Sequence, residues 1–518
     1  MAIVGKNILE NLTTGMYSDS KVIYREYIQN ACDQIDKAIQ QNIIKANEGL
    51  VDIFIDREQR YISIKDNATG VKSCMFQQDL GDIANSNKEV GKDKGFRGIG
   101  RLCGLAYCKT LKFSTSYIGE TIKSIMICDA QKMTAMLNEN KKYTLDEIWG
   151  AIVSFKTESA KTNDHFFEVE LIEINHENTD LLDDSKVRNY LSFVAPVPYK
   201  NVFLFRTQIS EHAKLINYQI DEYHLNVNGS QIFKEYTTRL KEKTGNASNV
   251  YDEISKLEFK DFYDDDGSLV AWMWVGLSRF EKQIPSVNQM RGLRLRSANI
   301  QLGGDNSLQE LFKETRGNYY FVGEVFAVHK DLIPNSQRNY FNENKMRVKF
   351  EDLLKRYFYD VLYKIYYSAN EIKNAYKRQE DYLTKAKELE TKSRESGFVD
   401  DVDRQKLQLS VDQAKRDAEN ARKRLSKFSN TDKASPITEV YKSISRNFNL
   451  SKLTKKAREI ELSNELLQSK KAPYITTCMS NLSQKERKLV TKILSIITDE
   501  APKDVAEKII NRIKTEIQ

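Results

Sequence analysis

Apolar and polar positions in the first two hundred residues follow two rhythms. Between Lys21 and Gln40, Val22, Ile23, Tyr27, Ala31, Ile35 and Ala38 recur at close to three- and four-residue spacing, which predicts an amphipathic helix. Val51–Ile55 and Tyr61–Lys65 alternate apolar with polar side chains on either side of Asp56–Arg60, the pattern of a hairpin. Lys109–Ser116, Thr121–Asp129, Ala151–Lys156 and Phe166–Leu171 read as further strands. A helix, antiparallel strands and a glycine-rich loop predict an α/β sandwich with its helices on one face. A second α/β unit is expected from about 200 to 360. Its predicted strands are Asn201–Arg206, Tyr223–Val227, Leu269–Leu277 and Tyr319–Val328, with a turn at Asn228–Gly229.

The pattern changes after Lys349. As far as Lys427 the chain is highly charged and lacks proline, with Leu383, Ala386, Leu389, Leu407, Ala414, Ala418, Ala421 and Leu425 at helical spacing. An antiparallel helical hairpin turning near Gly397–Asp401 is expected, more often packed internally than drawn out as a long coiled coil. Ser429–Pro436 reads as a linker, and short helices follow, one opening at Ser483 with a Ser-x-x-Glu capping box and the last over Lys503–Ile517. These boundaries divide the chain into 1–200, 201–360, 361–428 and 437–518.

Composition narrows the class. At 518 residues and 40% hydrophobic the chain is too long for one core and too apolar for wholesale disorder. No apolar run approaches the roughly 18 residues of a membrane span, and the N-terminus carries no secretory signal pattern. Six scattered cysteines and five histidines form neither CxxC nor HxxxH, which disfavours zinc and fits a reduced, cytoplasmic setting. The net charge of +7 is uneven. Residues 421–518 hold 21 Lys and Arg against 11 Asp and Glu, so that region carries +10 and the remainder −3. A basic tail is a modest signal for nucleic acid or another anionic partner, although charge runs are usually solvated faces.

Three segments carry candidate chemistry. In YREYIQNACDQID, Glu26, Asn30 and Asp33 stand at i, i+4 and i+7 and share one helix face. In ISIKDNATGV a strand ends at Asp66, followed by Asn67 and Gly70; a turn is the ordinary reading. A carboxylate there is also able to accept from an exocyclic amine, while Gly70 lets backbone pass close to a flat base. In KDKGFRGIGRLCG, Gly95, Gly98 and Gly100 leave backbone N–H groups open to phosphate oxygens, with Lys88, Lys92, Lys94, Arg97 and Arg101 supplying charge. The GxxGxG run follows no βαβ unit, so a dinucleotide fold is disfavoured.

The order and spacing of the three together resemble the GHKL ATPases, the superfamily of gyrase-type topoisomerases, ninety-kilodalton heat-shock chaperones, sensor kinases, MutL and MORC proteins. The resemblance implies a Bergerat-type α/β sandwich, ATP and Mg²⁺. It implies that Glu26 is the general base and Asn30 the metal ligand, that Asp33 lines the nucleotide cavity and that Asp66 reads adenine N6. Gly70 would lie beneath the base. Gly95, Phe96, Arg97, Gly98, Ile99 and Gly100 would form a lid over the phosphates, with Ser86 and Lys88 at its entrance. The family's DxGxG reads DNATG here, so Ala68 replaces the first glycine and bears on the depth of the adenine pocket; Gly150–Val153 also lacks a threonine often found there. Asp331–Phe341 resembles the chaperones' middle-domain segment, which would bring Arg338 to the γ-phosphate. Arg291–Arg296, with alternating arginines, is a weaker candidate, more often a salt-bridged face. By this match residues 201–360 form a transducer domain.

Within the superfamily, a sensor kinase is not expected, because no phosphoacceptor helices precede the ATPase segment. A cleaving topoisomerase is not expected for want of length and of a Glu…Asp-x-Asp signature. Residues 330–518 contain no histidine, which disfavours a MutL-type nuclease site. The remaining expectation is an ATP-gated homodimeric clamp with NILENLTTGMYSDS as an exchanged strap. Its client would be a protein, as for a chaperone, or DNA, through the basic C-terminal region. Membrane is not an expected partner. Anti-phage defence is the biological setting that compact bacterial members of this layout suggest.

Overall fold

The computed structural model describes residues 5–13, 19–82, 100–245, 247–393, 398, 401–429, 435–448 and 482–517. They divide into two compact units, residues 1–276 with 282–360 and residues 277–281 with 361–518.

The first unit is a mixed α/β structure. Its larger sheet contains β1 (Leu50–Asp56), β2 (Tyr61–Asp66), β3 (Cys108–Ser116), β4 (Ile122–Asp129), β5 (Val153–Ser159), β6 (Phe166–Ile174), β7 (His224–Val227) and β8 (Ser230–Gln231), in the order β5-β4-β3-β6-β2-β1-β7-β8. All neighbours are antiparallel except β1 and β7, which run parallel from Leu50↔His224 to Ile53↔Val227. Residues beyond 200 therefore complete this sheet's edge. In β1 the residues Val51, Ile53 and Ile55 are buried while Asp52 and Phe54 face out, the alternation of a sheet covered on one side.

The covering helices include α1 (Asn7–Leu12), α2 (Val22–Gln40), α3 (Ser73–Gly81), α4 (Ala130–Asn138), α5 (Leu145–Ile152) and α6 (Asp184–Val194), which share one apolar core with the strands. On α2, Ile23, Tyr27, Ala31, Ile35 and Ala38 enter that core, as their spacing predicts. Tyr24 Oη donates to Leu181 O at 2.6 Å. The predicted strand at Ala151 begins two residues late, because Thr144 and Glu147 form a capping box that starts α5 and carries the helix through Ile152.

After α7 (Arg206–Leu215), β9 (Arg239–Thr244) and β10 (Ala247–Glu253) form a hairpin. β11 (Lys256–Tyr263), β12 (Leu269–Leu277), β13 (Gly292–Ser297), β14 (Ile300–Leu302) and β15 (Val322–Ala327) build a five-stranded sheet in the order β11-β12-β15-β13-β14, and α8 (Lys345–Tyr357) follows. The strand expected over Asn201–Arg206 does not form. Phe203 alone is fully buried, against Tyr199, Tyr236 and Trp274, while Val202 and Leu204 are 57% and 70% exposed. Tyr319 and Tyr320 belong to a 3-10 turn that precedes β15.

Inside this sheet lies a fully buried ionic cluster. Glu324 accepts from Arg296 Nε at 2.5 Å, Lys234 Nζ at 3.2 Å and Tyr236 Oη at 3.0 Å, and from Tyr199 Oη. Arg296 reaches back to Phe193 O at the end of α6 (2.9 Å). The salt-bridged reading of the RGLRLR strand thus holds for Arg296, with its partner in the core.

Apart from residues 277–281, the second unit is built of helices among its described residues. α9 (Tyr363–Thr391) and α10 (Asp401–Ser429) pack antiparallel through Tyr382, Leu383, Ala386 and Leu389 against Val411, Ala414 and Ala418. α11 (Pro436–Phe448) returns along α9, stacking Phe448 on Tyr376 at 4.8 Å. α12 (Gln484–Glu500) carries the predicted Ser483–Glu486 capping box and pairs with α13 (Lys503–Ile517) through Leu494 and Ile510. Most of the predicted turn and linker lies outside the described residues. No described helix is long and apolar enough to cross a membrane.

Candidate nucleotide site

The site is built on the polar stripe of α2. Glu26 and Asp33 are buried on it, and Asn30, one turn from Glu26, is half-buried. Charged groups on a buried helix face are costly unless partnered, and Glu26 has two cationic partners. Arg25 Nη2 lies 3.4 Å and Arg338 Nε 3.5 Å from Glu26 Oε1. All three residues are less than a tenth exposed.

Arg25 also fixes the loop that carries Arg338. Its Nη2 donates to Gln337 O at 3.1 Å and its Nη1 to Arg338 O at 3.4 Å. Arg338 holds a left-handed backbone (φ 53°), which costs a non-glycine residue about 1–2 kcal/mol. The loop's own bonds offset that cost, since Arg338 N donates to Asn335 O (3.1 Å) and Gly303 N donates to Arg338 O (3.0 Å). Arg25 and Arg338, 313 positions apart, thus meet at one carboxylate. Arg25 was missed by sequence reasoning; the only signal was a cation directly before Glu26.

The glycine-rich segment ends against the same carboxylate. A Cβ on Gly100 would stand 2.5 Å from Glu26 Oε2, so a larger residue there would have to displace that carboxylate. Gly100 opens a 3-10 helix to Ala106, which Tyr27 fastens to α2: Gly104 N donates to Tyr27 Oη, and Tyr27 Oη to Arg101 O, each at 3.0 Å. Ser86, Lys88, Gly95, Phe96, Arg97, Gly98 and Ile99 lie outside the described residues.

Asp66 terminates β2. Its Oδ1 accepts from Ala68 N at 3.0 Å, and burial, only partly offset by backbone donors, pushes its carboxyl up to about 7. Asn67 clamps the turn, accepting from Leu50 N (2.8 Å) and donating to Glu48 O (2.7 Å). Ala68, where the family has glycine, is fully buried within the main core, so packing absorbs its methyl group. Gly70 has φ 68°, and a Cβ there would stand 1.9 Å from Ser116 O, so the close approach requires glycine. Thr69 Oγ1 and Gln34 Oε1, 3.2 Å apart, tie this turn to α2.

The donor set fits a nucleoside triphosphate. Two guanidinium groups converge at one end, and at the other a buried carboxylate beside a glycine turn offers an acceptor for an amine. Among the described residues no cluster of three or more His, Cys, Asp or Glu side chains forms a protein-only metal cage; Asn30 offers an amide oxygen.

Residues 22–162 match the family model described as histidine kinase-, DNA gyrase B- and HSP90-like ATPase. The chaperone protein HtpG of Anaplasma marginale is 29% identical over 136 residues, 24% of this chain and 21% of that protein. HtpG of Orientia tsutsugamushi is 34% identical over 94 residues, 17% of this chain and 15% of its own length. HtpG of Vesicomyosocius okutanii is 23% identical over 231 residues, covering 41% of this chain and 34% of the chaperone. The chain thus spans from under a sixth to about a third of these relatives. The segment that contains Glu26, Asn30, Asp33, Asp66 and Gly70 is thus of the GHKL ATPase type.

Proposed function

We propose that this protein binds Mg²⁺·ATP between α2 and the 66–70 turn, hydrolyses it, and uses the cycle to close a homodimeric, chaperone-like clamp on protein partners. The observation that carries the reading is the meeting of Glu26, Arg25 and Arg338. It joins a nucleotide helix to a loop following the five-stranded sheet, so occupancy by a γ-phosphate is felt at both. In this reading 1–200, with β7 and β8 completing its sheet, is the nucleotide domain, the rest of 201–360 the transducer, 361–428 the arm and 437–518 a basic helical domain.

Each residue has a stated task. Glu26 takes the proton of the attacking water. Asn30 presents its amide oxygen to Mg²⁺, which supplies charge neutralisation across the phosphates. Asp33 lines the cavity, and Asp66 accepts from the adenine amine over Gly70. Arg338 contacts the γ-phosphate, and the lid segment with Ser86, Lys88 and Gly95–Gly100 closes over it.

The Asp66 carboxyl gives a pH test. Its folded-state value near 7 lies above the ordinary 3.8, so the folded protein holds this proton more tightly than the unfolded chain. Its contribution to stability is therefore full below about pH 4 and is lost as pH rises through 7. The ionised carboxylate accepts from an amine more strongly than the neutral acid does. ATP affinity is expected to fall as pH drops from 8 to 6. Asp66→Asn, compared in the same titration, separates this from titration of ATP's own phosphate. Equal slopes for the two proteins would refute the adenine assignment.

A DNA clamp is the second reading, favoured by α10. Arg422, Lys423, Arg424 and Lys427 are exposed near its end, and residues 420–429 carry no carboxylate. A role in anti-phage defence fits either client. Sedimentation with ADP, ATP and a non-hydrolysable analogue tests the clamp. Doubling of mass with ATP and the analogue alone is expected; one mass under all three conditions would contradict it.

A further inference from the structure

Gln29 is 1% exposed, and neither its amide nitrogen nor its amide oxygen has a hydrogen-bond partner among the described residues. A buried amide satisfied at neither end is rare in folded proteins and is retained only where something else requires it. Its position on α2 supplies the context. It stands four residues after Arg25, three after Glu26 and four before Asp33, so all three are its neighbours on the helix surface. Arg25 adds a matching feature: its Nε, on a residue 6% exposed, is also without a partner among the described residues. An unused donor therefore sits on the residue paired with the Glu26 carboxylate, and an unused acceptor on the residue three positions after Glu26.

We propose that Gln29 positions the attacking water of the ATPase reaction together with Glu26, an inference that rests on the ATPase reading above. A water bounded by these groups donates one hydrogen to a Glu26 carboxylate oxygen and the other to Gln29 Oε1. It accepts Arg25 Nε–H on one lone pair, which leaves the second for the phosphorus. The water oxygen bonds to the γ-phosphorus as the bond to the bridging β–γ oxygen breaks. The electron pair leaves with ADP and the water's proton passes to Glu26. Gln29 takes no proton, so it is a positioning residue and not a second base.

This role and a packing role predict opposite results for an apolar residue of similar size. If Gln29 only fills space, Gln29→Met removes two unsatisfied polar atoms, so the melting temperature holds or rises and turnover is unchanged. If Gln29 positions water, the melting temperature again holds or rises. In that case kcat falls at least tenfold, the dissociation constant for ATP stays within twofold, and the shape of the pH–rate profile is retained. Gln29→Asn keeps the amide but withdraws it by one methylene and is expected to lie between Met and wild type. A Met variant turning over within threefold of wild type overturns the assignment, as does an Asn variant no faster than Met. Should the Met protein not fold, wild-type turnover by the Asn variant overturns it equally. Absence of turnover in the wild-type protein would refute the ATPase reading itself, a separate and distinguishable result.

Discussion

Glu26→Ala is expected to bind ATP at least as tightly as wild type while releasing phosphate about a hundredfold more slowly or worse, the range that a lost general base commands. The geometry sets both halves of that result. The carboxylate stands between Arg25 and Arg338 at 3.4 and 3.5 Å, with Gly100 pressed against its other oxygen. In the proposed reaction, removing it takes away the group that receives the water's proton. It also leaves two buried guanidinium groups without their shared anion, and a triphosphate is the anion that replaces it. Affinity is therefore predicted to hold or rise as turnover falls. Parallel loss of both would mean that Glu26 serves the fold and not the chemistry.

The largest effect on stability is expected at Glu324. Glu324→Ala should destabilise the protein by about 3–5 kcal/mol, the usual cost of removing one member of a buried ion pair, read as a drop in denaturation midpoint. Burial alone would raise this carboxyl, but Arg296 and then Lys234 hold it down to about 2, so it is charged throughout the neutral range. Its removal strands both cations in a fully buried site and leaves the hydroxyls of Tyr199 and Tyr236 without their acceptor. The sign with pH follows. A carboxyl held below its unfolded value contributes fully above about pH 4.5, and that contribution drains away as pH falls. Wild type should therefore lose part of its advantage over the variant in acid. A difference below about 1 kcal/mol at neutral pH would show that the cluster is a dispensable ornament of the sheet.

Much of this architecture was legible in the chain because local patterns matched tertiary demands. The three- and four-residue spacing on α2 set both its buried face and the line of Glu26, Asn30 and Asp33. The β1–β2 alternation gave the hairpin that ends at Asp66. Reading failed where a short pattern was satisfied by one residue. In NVFLF only Phe203 is fully buried, with Phe205 partly buried against the same core and Val202 and Leu204 exposed, so the apparent strand gives way to turns and α7. β9 to β11 were missed because RLKEKT, ASNVYDE and KLEFKDFY are rich in charge, and strand signals in such segments rest on pairing that no local window contains. Arg25 and Gln29 escaped for a related reason. They flank the recognised stripe on its far side, and Arg25's partners at 337 and 338 are over three hundred residues away.

Titration of Mg²⁺·ATP into the Glu26→Ala protein, in which hydrolysis no longer blurs the end point, decides whether the cavity beside α2 takes an adenine nucleotide. One ATP per chain, with weaker binding of GTP because its purine lacks the 6-amine that the proposed site would hold at Asp66, is the predicted result. Saturable binding that ignores the base, or no binding of either nucleotide, would contradict it.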